Sequence, residues 1–224
     1  MSATRVDEAV ERLVARIVAG EFDERPLPRE QDLAQEVQVS RLTLREAVKV
    51  LKTKGVLRVE QGRGTFANPV SRWDSVDLVA RAAGASGDGR RTAEQLVEVR
   101  RFIETAATGL FSAAHGPDDL TGLRRCVERM RRADAEADVA EFVEADLEFH
   151  QIILDGCGNP FVGVLFRPID DLLRAARWET SSKPRVRTRA IAKHEQILAA
   201  LSSGTREQAE AAMLAHIEQT REDL

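Results

Sequence analysis

The sequence predicts a mainly α protein in two parts: a three-helix unit closed by a two-stranded hairpin, then an all-α bundle of six or seven helices. Three observations carry this. Apolar residues recur at helical spacing along most of the chain. Strand-like runs flank a glycine-bearing turn only in VLRVEQGRGTFA, residues 56–67. ASGDGRR, residues 85–91, has the glycines, serine and charge of an exposed linker. The expected boundaries are 1–70 for the first domain, 71–91 for a linker with a short helix, and 92–224 for the bundle.

The first helix is RVDEAVERLVARIVA, residues 5–19, in which Val6, Val10, Leu13, Val14, Ile17 and Val18 share a face and Gly20 follows as a stop. EFDERPLP, with two prolines, is a turn. A short helix over 29–37 presents Leu33, Ala34 and Val37, and QVSR breaks it. Ser40 is placed to cap a third helix, lined by Leu44, Ala47, Val48 and Leu51 and ended by Gly55. Strands over 56–59 and 65–67, joined through QGRG, complete a winged helix-turn-helix. Such a unit needs donors at the start of its third helix to reach base edges, and cations beyond to meet phosphates. Arg41, Thr43 and Arg45 suit the first role and Lys49 the second, with Ser40 and Arg29 beside them. On the wing, Arg63 stands between Gly62 and Gly64, which let the backbone approach a phosphate or a minor groove. Residues 40–54 hold Arg41, Arg45, Lys49, Lys52 and Lys54 against only Glu46, a basic stripe on a chain of net charge −4.

A short helix over 76–83 is expected next, then helices at about 92–115, 117–133, 138–155, 160–179, 185–203 and 205–222, punctuated by HGPDD, DGCGNP, SSKP and SSGT. The bundle holds all four histidines. Those at 150, 194 and 216 lie in apolar helical contexts, while His115, beside Gly116 and Pro117, looks peripheral. In EADLEFHQIIL, Asp146 and His150 share a helix face one turn apart. Alone, the pair reads equally as a polar patch or as half of a metal site. Borderline divalent metals favour imidazole plus one carboxylate, and a bundle can supply them from facing helices. The expected ligand set is Asp146, His150, His194 and His216, for zinc first, with nickel or manganese as alternatives.

No apolar run reaches the ~18–20 residues of a membrane span, and the N-terminus MSATRVDEAVERL has charges spread through it, so a cytoplasmic location is expected. Cys126 and Cys157 lack CxxC spacing and read as reduced thiols. A metal-bound water could in principle act as a hydrolytic nucleophile, but no general-base motif accompanies the ligand set, so no enzyme is expected.

LP, an acidic residue before DLA, VSR, LREAVKVL, KG and GRGTF follow in that order over residues 27–67, and this segment resembles the N-terminal domain of the GntR family of bacterial transcription regulators. Two positions depart from the family pattern. Gln38 replaces the glycine usual in the turn, at about 1 kcal/mol if its backbone is left-handed, and Gln31 stands where many members carry a DNA-contacting arginine. VEVRRFIETAA, EADLEFHQIIL, CGNP, KHEQILAAL and AAMLAHI resemble the C-terminal FCD ligand domain of the FadR subfamily, over roughly 92–220. The resemblance implies a divalent metal on the four ligands named above. It also implies an effector-binding arginine at Arg100, with Asn159 of CGNP as a second effector-binding candidate. Arg100 has an alternative reading as a plain ion pair with Glu104, four along its helix. The function then expected is a homodimeric regulator, a repressor, on a near-palindromic double-stranded DNA operator. Its metal-bearing bundle would sense a small carboxylate or hydroxycarboxylate; a sensor in which the ion itself is the signal is the alternative.

Overall fold

The computed structural model describes residues 4–224. The chain divides into two compact units, 1–89 and 90–224.

In the first unit, α1 (Arg5–Val18) opens on a capping box. The Thr4 hydroxyl accepts from Asp7 N–H, and the Asp7 carboxylate accepts from Thr4 N–H, which satisfies donors that have no partner in the helix. Its stripe Ala9, Val10, Leu13, Val14 and Ile17 is buried against α3 (Arg41–Thr53), whose Leu44, Ala47 and Leu51 point back. Between them α2 (Glu30–Glu36) ends in a Schellman closure: Val39 N–H donates to Ala34 O and Gln38 N–H to Gln35 O, with Gln38 at φ +57°. The backbone at Gln38 is therefore left-handed, the conformation for which glycine is usual.

Strands β1 (Leu57–Glu60) and β2 (Gly64–Ala67) pair antiparallel with Leu57 opposite Ala67 and Glu60 opposite Gly64. Leu27 N–H donates to Thr65 O, so the proline turn is pinned along the wing. The base of the wing is tied to the end of α3. Asn68 Nδ2 donates to Gly55 O, Trp73 Nε1 donates to Asn68 O, and Asp74 N–H donates to Lys54 O. A Cβ on Gly55 would lie 2.8 Å from Arg72 O, and its φ of +70° also favours glycine. Helix α4 (Val76–Ala85) packs on α1, adds Leu78 and Ala82 to the same core, and is held by Arg81, which pairs with Glu11 at 2.6 Å. The short helix expected in the linker is thus part of the first unit.

The second unit is all α: α5 (Gly89–Ala114), α6 (Pro117–Ala135), α7 (Val139–Gly156), α8 (Pro160–Phe166), α9 (Asp170–Ser181), α10 (Pro184–Ser203) and α11 (Arg206–Glu222). The sequence reading ran one helix through 160–179. Pro168 divides it, since a proline has no N–H to donate, and a 3₁₀ turn over Arg167–Ile169 separates α8 from α9. That division supplies the seventh helix. Helices α6 and α7 pack along each other, as do α10 and α11, and α9 rests on α7 and α10. Phe111, Phe142, Phe149, Phe166, Leu123, Met130, Ile153 and Ile197 are fully buried between them. Arg187 on α10, itself buried, reaches Asp134 on α6 at 2.6 Å and donates to Ser181 O at the end of α9.

Candidate metal centre and nucleic-acid interface

Inside the apolar interior of the second unit stands a buried polar cluster. Asp146 and His150 come from α7, His194 from α10 and His216 from α11, and one ligand atom from each lies within 4.8 Å of all the others. Asp146 and His150 face inward because they extend the stripe of Phe142, Val143, Phe149 and Ile153 on α7. Phe149 packs edge-on to His194 with ring centroids 4.7 Å apart and so sets the plane of that imidazole.

The donors and acceptors around the cluster show what it suits. His194 Nδ1 lies 2.7 Å from Ala190 O, which can only accept, so Nδ1 carries the proton and Nε2 presents a lone pair. His150 Nδ1 lies 2.7 Å from Glu104 Oε2, which fixes its Nε2 in the same way. Those two Nε2 atoms converge to 3.3 Å, His216 Nε2 lies 3.2 Å from His150 Nε2, and Asp146 Oδ1 lies 3.1 Å from His194 Nε2. Lone pairs and a carboxylate oxygen aimed at one point call for a cation. These three separations are close to the roughly 3 Å between neighbouring ligand atoms on an ion bound at ~2.1 Å, while His150 Nε2 and Asp146 Oδ1 stand 4.0 Å apart. The residues fit a divalent metal: they would hold it, and it would supply a Lewis-acidic centre able to accept an anionic ligand.

Charges on the surrounding side chains are balanced. Glu104 is buried, which raises its pKa, but Arg100 and His150 outweigh burial and hold its carboxyl well below the usual range. Asp146 behaves alike: burial opposes ionisation, and the Arg177 guanidinium overcomes it. Burial is also the largest influence on His150, bringing it down to about 4 against the pull of Glu104, and it pushes His216 well below the ordinary value. Arg100 does pair with Glu104, Nε to Oε1 at 2.7 Å, but both are buried and Arg100 Nη2 also lies 3.4 Å from His150 Nε2. The ion pair with Glu104 is therefore formed, in the interior beside His150 rather than on the surface.

Two members of this cluster were not singled out from sequence. Glu104 entered only as a surface partner for Arg100; its contact with His150 joins α5 to α7 and has no local signature. Arg177, in the run LLRAARWET, has the look of a surface position, yet it is buried and its Nε pairs closely with Asp146 Oδ2. Asn159 stands apart. It is exposed, and its side chain accepts from Phe161 N–H as the N-cap of α8, which is what an asparagine before a helix-opening proline ordinarily does. His115 lies at the end of α5 against Phe111. Both cysteines are free and buried, and burial pushes the Cys126 thiol up to about 11.

In the first unit, Ser40 caps α3, its hydroxyl accepting from Thr43 N–H at 3.0 Å. Arg41, Arg45 and Lys49 are exposed along that helix, Thr43 is half-buried, and Arg45 pairs with Glu30 of α2 at 2.6 Å. Arg29 stands at the N-cap position of α2 without a side-chain capping bond and is exposed. Leu42 in the first turn of α3 is 72% exposed, and its offset from the Leu44–Ala47–Leu51 stripe is the sequence sign of that exposure. At the wing tip Arg63 is exposed, pairs with Glu60 and lies over the Phe66 ring at 5.4 Å. Gly62, at φ +75°, faces open space. A Cβ on Gly64 would lie 2.9 Å from Pro26 Cβ, so packing of the wing on the proline turn requires that glycine.

Residues 5–67 match the bacterial regulatory proteins of the gntR family, and residues 95–219 match the FCD domain. The chain is 32% identical to the HTH-type transcriptional regulator LutR of Bacillus subtilis over 84% of its own length and 85% of that protein. It is 28% identical to the galactonate operon transcriptional repressor of Escherichia coli over 78% and 76%. Among solved structures it resembles a Streptococcus agalactiae GntR protein at a TM-score of 0.55 and 27% identity, covering 97% of this chain and 99% of that one. A winged helix-turn-helix joined to an FCD bundle, matched over both units, makes this chain a member of the GntR family with a C-terminal FCD domain, a DNA-binding transcriptional regulator rather than an enzyme.

Proposed function

We propose that this regulator is a repressor whose bundle holds a divalent metal, zinc first, on Asp146, His150, His194 and His216. The bundle senses a small organic acid, with Arg100 contributing to its binding. The observation that carries the reading is the convergence of Asp146 Oδ1 with imidazole Nε2 atoms whose other nitrogens, on His150 and His194, face acceptors. Four protein ligands leave room on an ion that takes five or six, as nickel or manganese does and zinc does on expanding beyond four, and a carboxylate can take it while a guanidinium meets its other oxygens. The E. coli relative named for a galactonate operon supports an acid as the signal. On the DNA side, Arg41, Thr43, Arg45 and Leu42 at the start of α3 reach base edges, while Ser40, Arg29, Lys49 and the Gly62–Arg63–Gly64 wing tip meet phosphates or the minor groove. One such head reads only a few base pairs, so the working form is a homodimer on a near-palindromic operator. The acid acts by binding one arrangement of the DNA-binding heads more tightly than another.

The test is a titration in two arms. Protein stripped with a chelator is bound to a labelled operator fragment and its anisotropy followed as zinc alone, then zinc plus each of a panel of small carboxylates, is added. The reading expects the acids to shift operator affinity only after zinc. A full response to zinc alone would establish the ion as the signal, and no response to any acid would remove the effector half of the proposal.

A further inference from the structure

Arg177 on α9 is 7% exposed. Its Nε is taken by Asp146 Oδ2, yet Nη1 and Nη2 are both buried without a hydrogen-bond acceptor. A guanidinium is a planar fork of donors matched to a carboxylate, and leaving its paired amino groups unmatched in a protein interior is costly. Two small cavities flank it, about 20 Å³ each, both lined by Arg100, Arg177, Thr180 and Thr220. The second is also lined by Asp146, His216 and Gln219, and there the Gln219 Oε1 and His216 Nδ1 atoms likewise have no partner. The residues that carry these unmatched groups line one cavity with two of the candidate metal ligands, Asp146 and His216.

The charge balance points the same way. Arg100 and Arg177 are offset by Glu104 and Asp146, so this part of the interior is neutral. A divalent ion held by one of those carboxylates and neutral imidazoles would raise it to two positive charges. A monocarboxylate would cancel one of them. We propose that the effector is a short dicarboxylate, and that Arg177 is the specificity-determining residue for its second carboxylate. The inference rests on the acid-sensing reading above and narrows it. Cavities of this size hold about one water each, so the acid enters only as lining side chains move. Arg177 can move without losing charge pairing, because it exchanges the Asp146 carboxylate for one on the ligand.

The experiment is isothermal titration of the full-length, zinc-loaded protein with matched acids, propionate against succinate and lactate against malate, for the parent, Arg177→Gln and Arg177→Lys. Zinc content is measured for each variant beforehand. The parent is expected to bind the dicarboxylate of each pair more tightly, by roughly 10- to 100-fold for a charge-assisted contact. Arg177→Gln removes that preference and leaves the monocarboxylates bound. Arg177→Lys, a point charge without the fork, keeps part of it and carries the comparison if Arg177→Gln does not fold. Equal affinity for both members of each pair in the parent, or a preference that survives in Arg177→Gln or is undiminished in Arg177→Lys, overturns the inference while acid sensing stands. Absence of binding by any acid overturns both. Inorganic phosphate is the control dianion, and tighter binding of phosphate than of either dicarboxylate overturns the assignment of the second charge to a separate carboxylate.

Discussion

Replacing Gln38 by glycine is expected to stabilise the DNA-binding unit. Gln38 closes α2 at φ +57°, with its side chain exposed and its N–H donated to Gln35 O, so the residue is held left-handed by backbone hydrogen bonds alone. A non-glycine residue in that conformation costs about 1–2 kcal/mol. Glycine removes the cost but gives back about 0.5–1 kcal/mol through the greater freedom of its unfolded chain. The net gain is about 0.5–1 kcal/mol, or roughly 2–8 °C in the melting temperature of a unit this size. Trp73 is buried in this unit, and the chain's other tryptophan is Trp178. A urea or thermal melt followed by tryptophan fluorescence in a Trp178→Phe background therefore reports on the right transition. Gln38→Ala, which keeps a Cβ, is the control and gains nothing from backbone relief. Equal midpoints for parent and Gln38→Gly, or an equal rise in both variants, would refute the reasoning.

Three further outcomes are expected. Arg45→Ala weakens operator binding by about 1–3 kcal/mol if Arg45 leaves Glu30 for a base edge, with anisotropy as the assay; unchanged affinity makes it a surface residue of α3. His194→Ala and His216→Ala lower the metal bound per chain, measured by mass spectrometry, while binding of the unliganded protein to DNA persists; parent-level metal in either variant removes that residue from the site. The metal-free bundle loses stability with acid. His150 takes up its proton only at about 4 when folded but near 6.5 when unfolded, so the unfolded chain binds more protons between those values. Stability is full above about pH 6.5 and falls as pH drops towards 4, by on the order of 3 kcal/mol from this group. The lowered carboxyls of Glu104 and Asp146 add further loss below the unfolded carboxylate range. A flat denaturation midpoint from pH 7 to 5 contradicts this.

What the sequence discloses about the site follows from how local each signal is. Asp146 and His150 sit one turn apart, so their shared face was legible before any packing was known. His194 and His216 could be joined to them because each interrupts an apolar stripe on its own helix. Arg177 had no such mark. Helical spacing alone continues its run through Pro168, and its burial arises because α9 restarts after that proline and packs on α7 and α10. Asn159 differs in the opposite sense: a motif suggests a ligand group, and the local fold gives its side chain the task of capping the next helix. The winged unit was easier, since its turns carry glycine, proline and a capping serine at fixed offsets, and only the addition of α4 to its core, a contact between distant stretches, escaped the pattern.

The ties among Gly55, Asn68, Trp73 and Asp74 bind the base of the wing to the last turn of α3. Helix and hairpin thus behave as one stiff jaw whose opening is set before any duplex arrives. A groove that is too narrow or too wide for that opening cannot be met by flexing the protein at this joint. The adjustment falls to the nucleic acid, and its elastic cost depends on the base steps being bent or compressed. Operators for this regulator should therefore be discriminated at positions that no side chain touches, through the deformability of the steps lying between wing and helix.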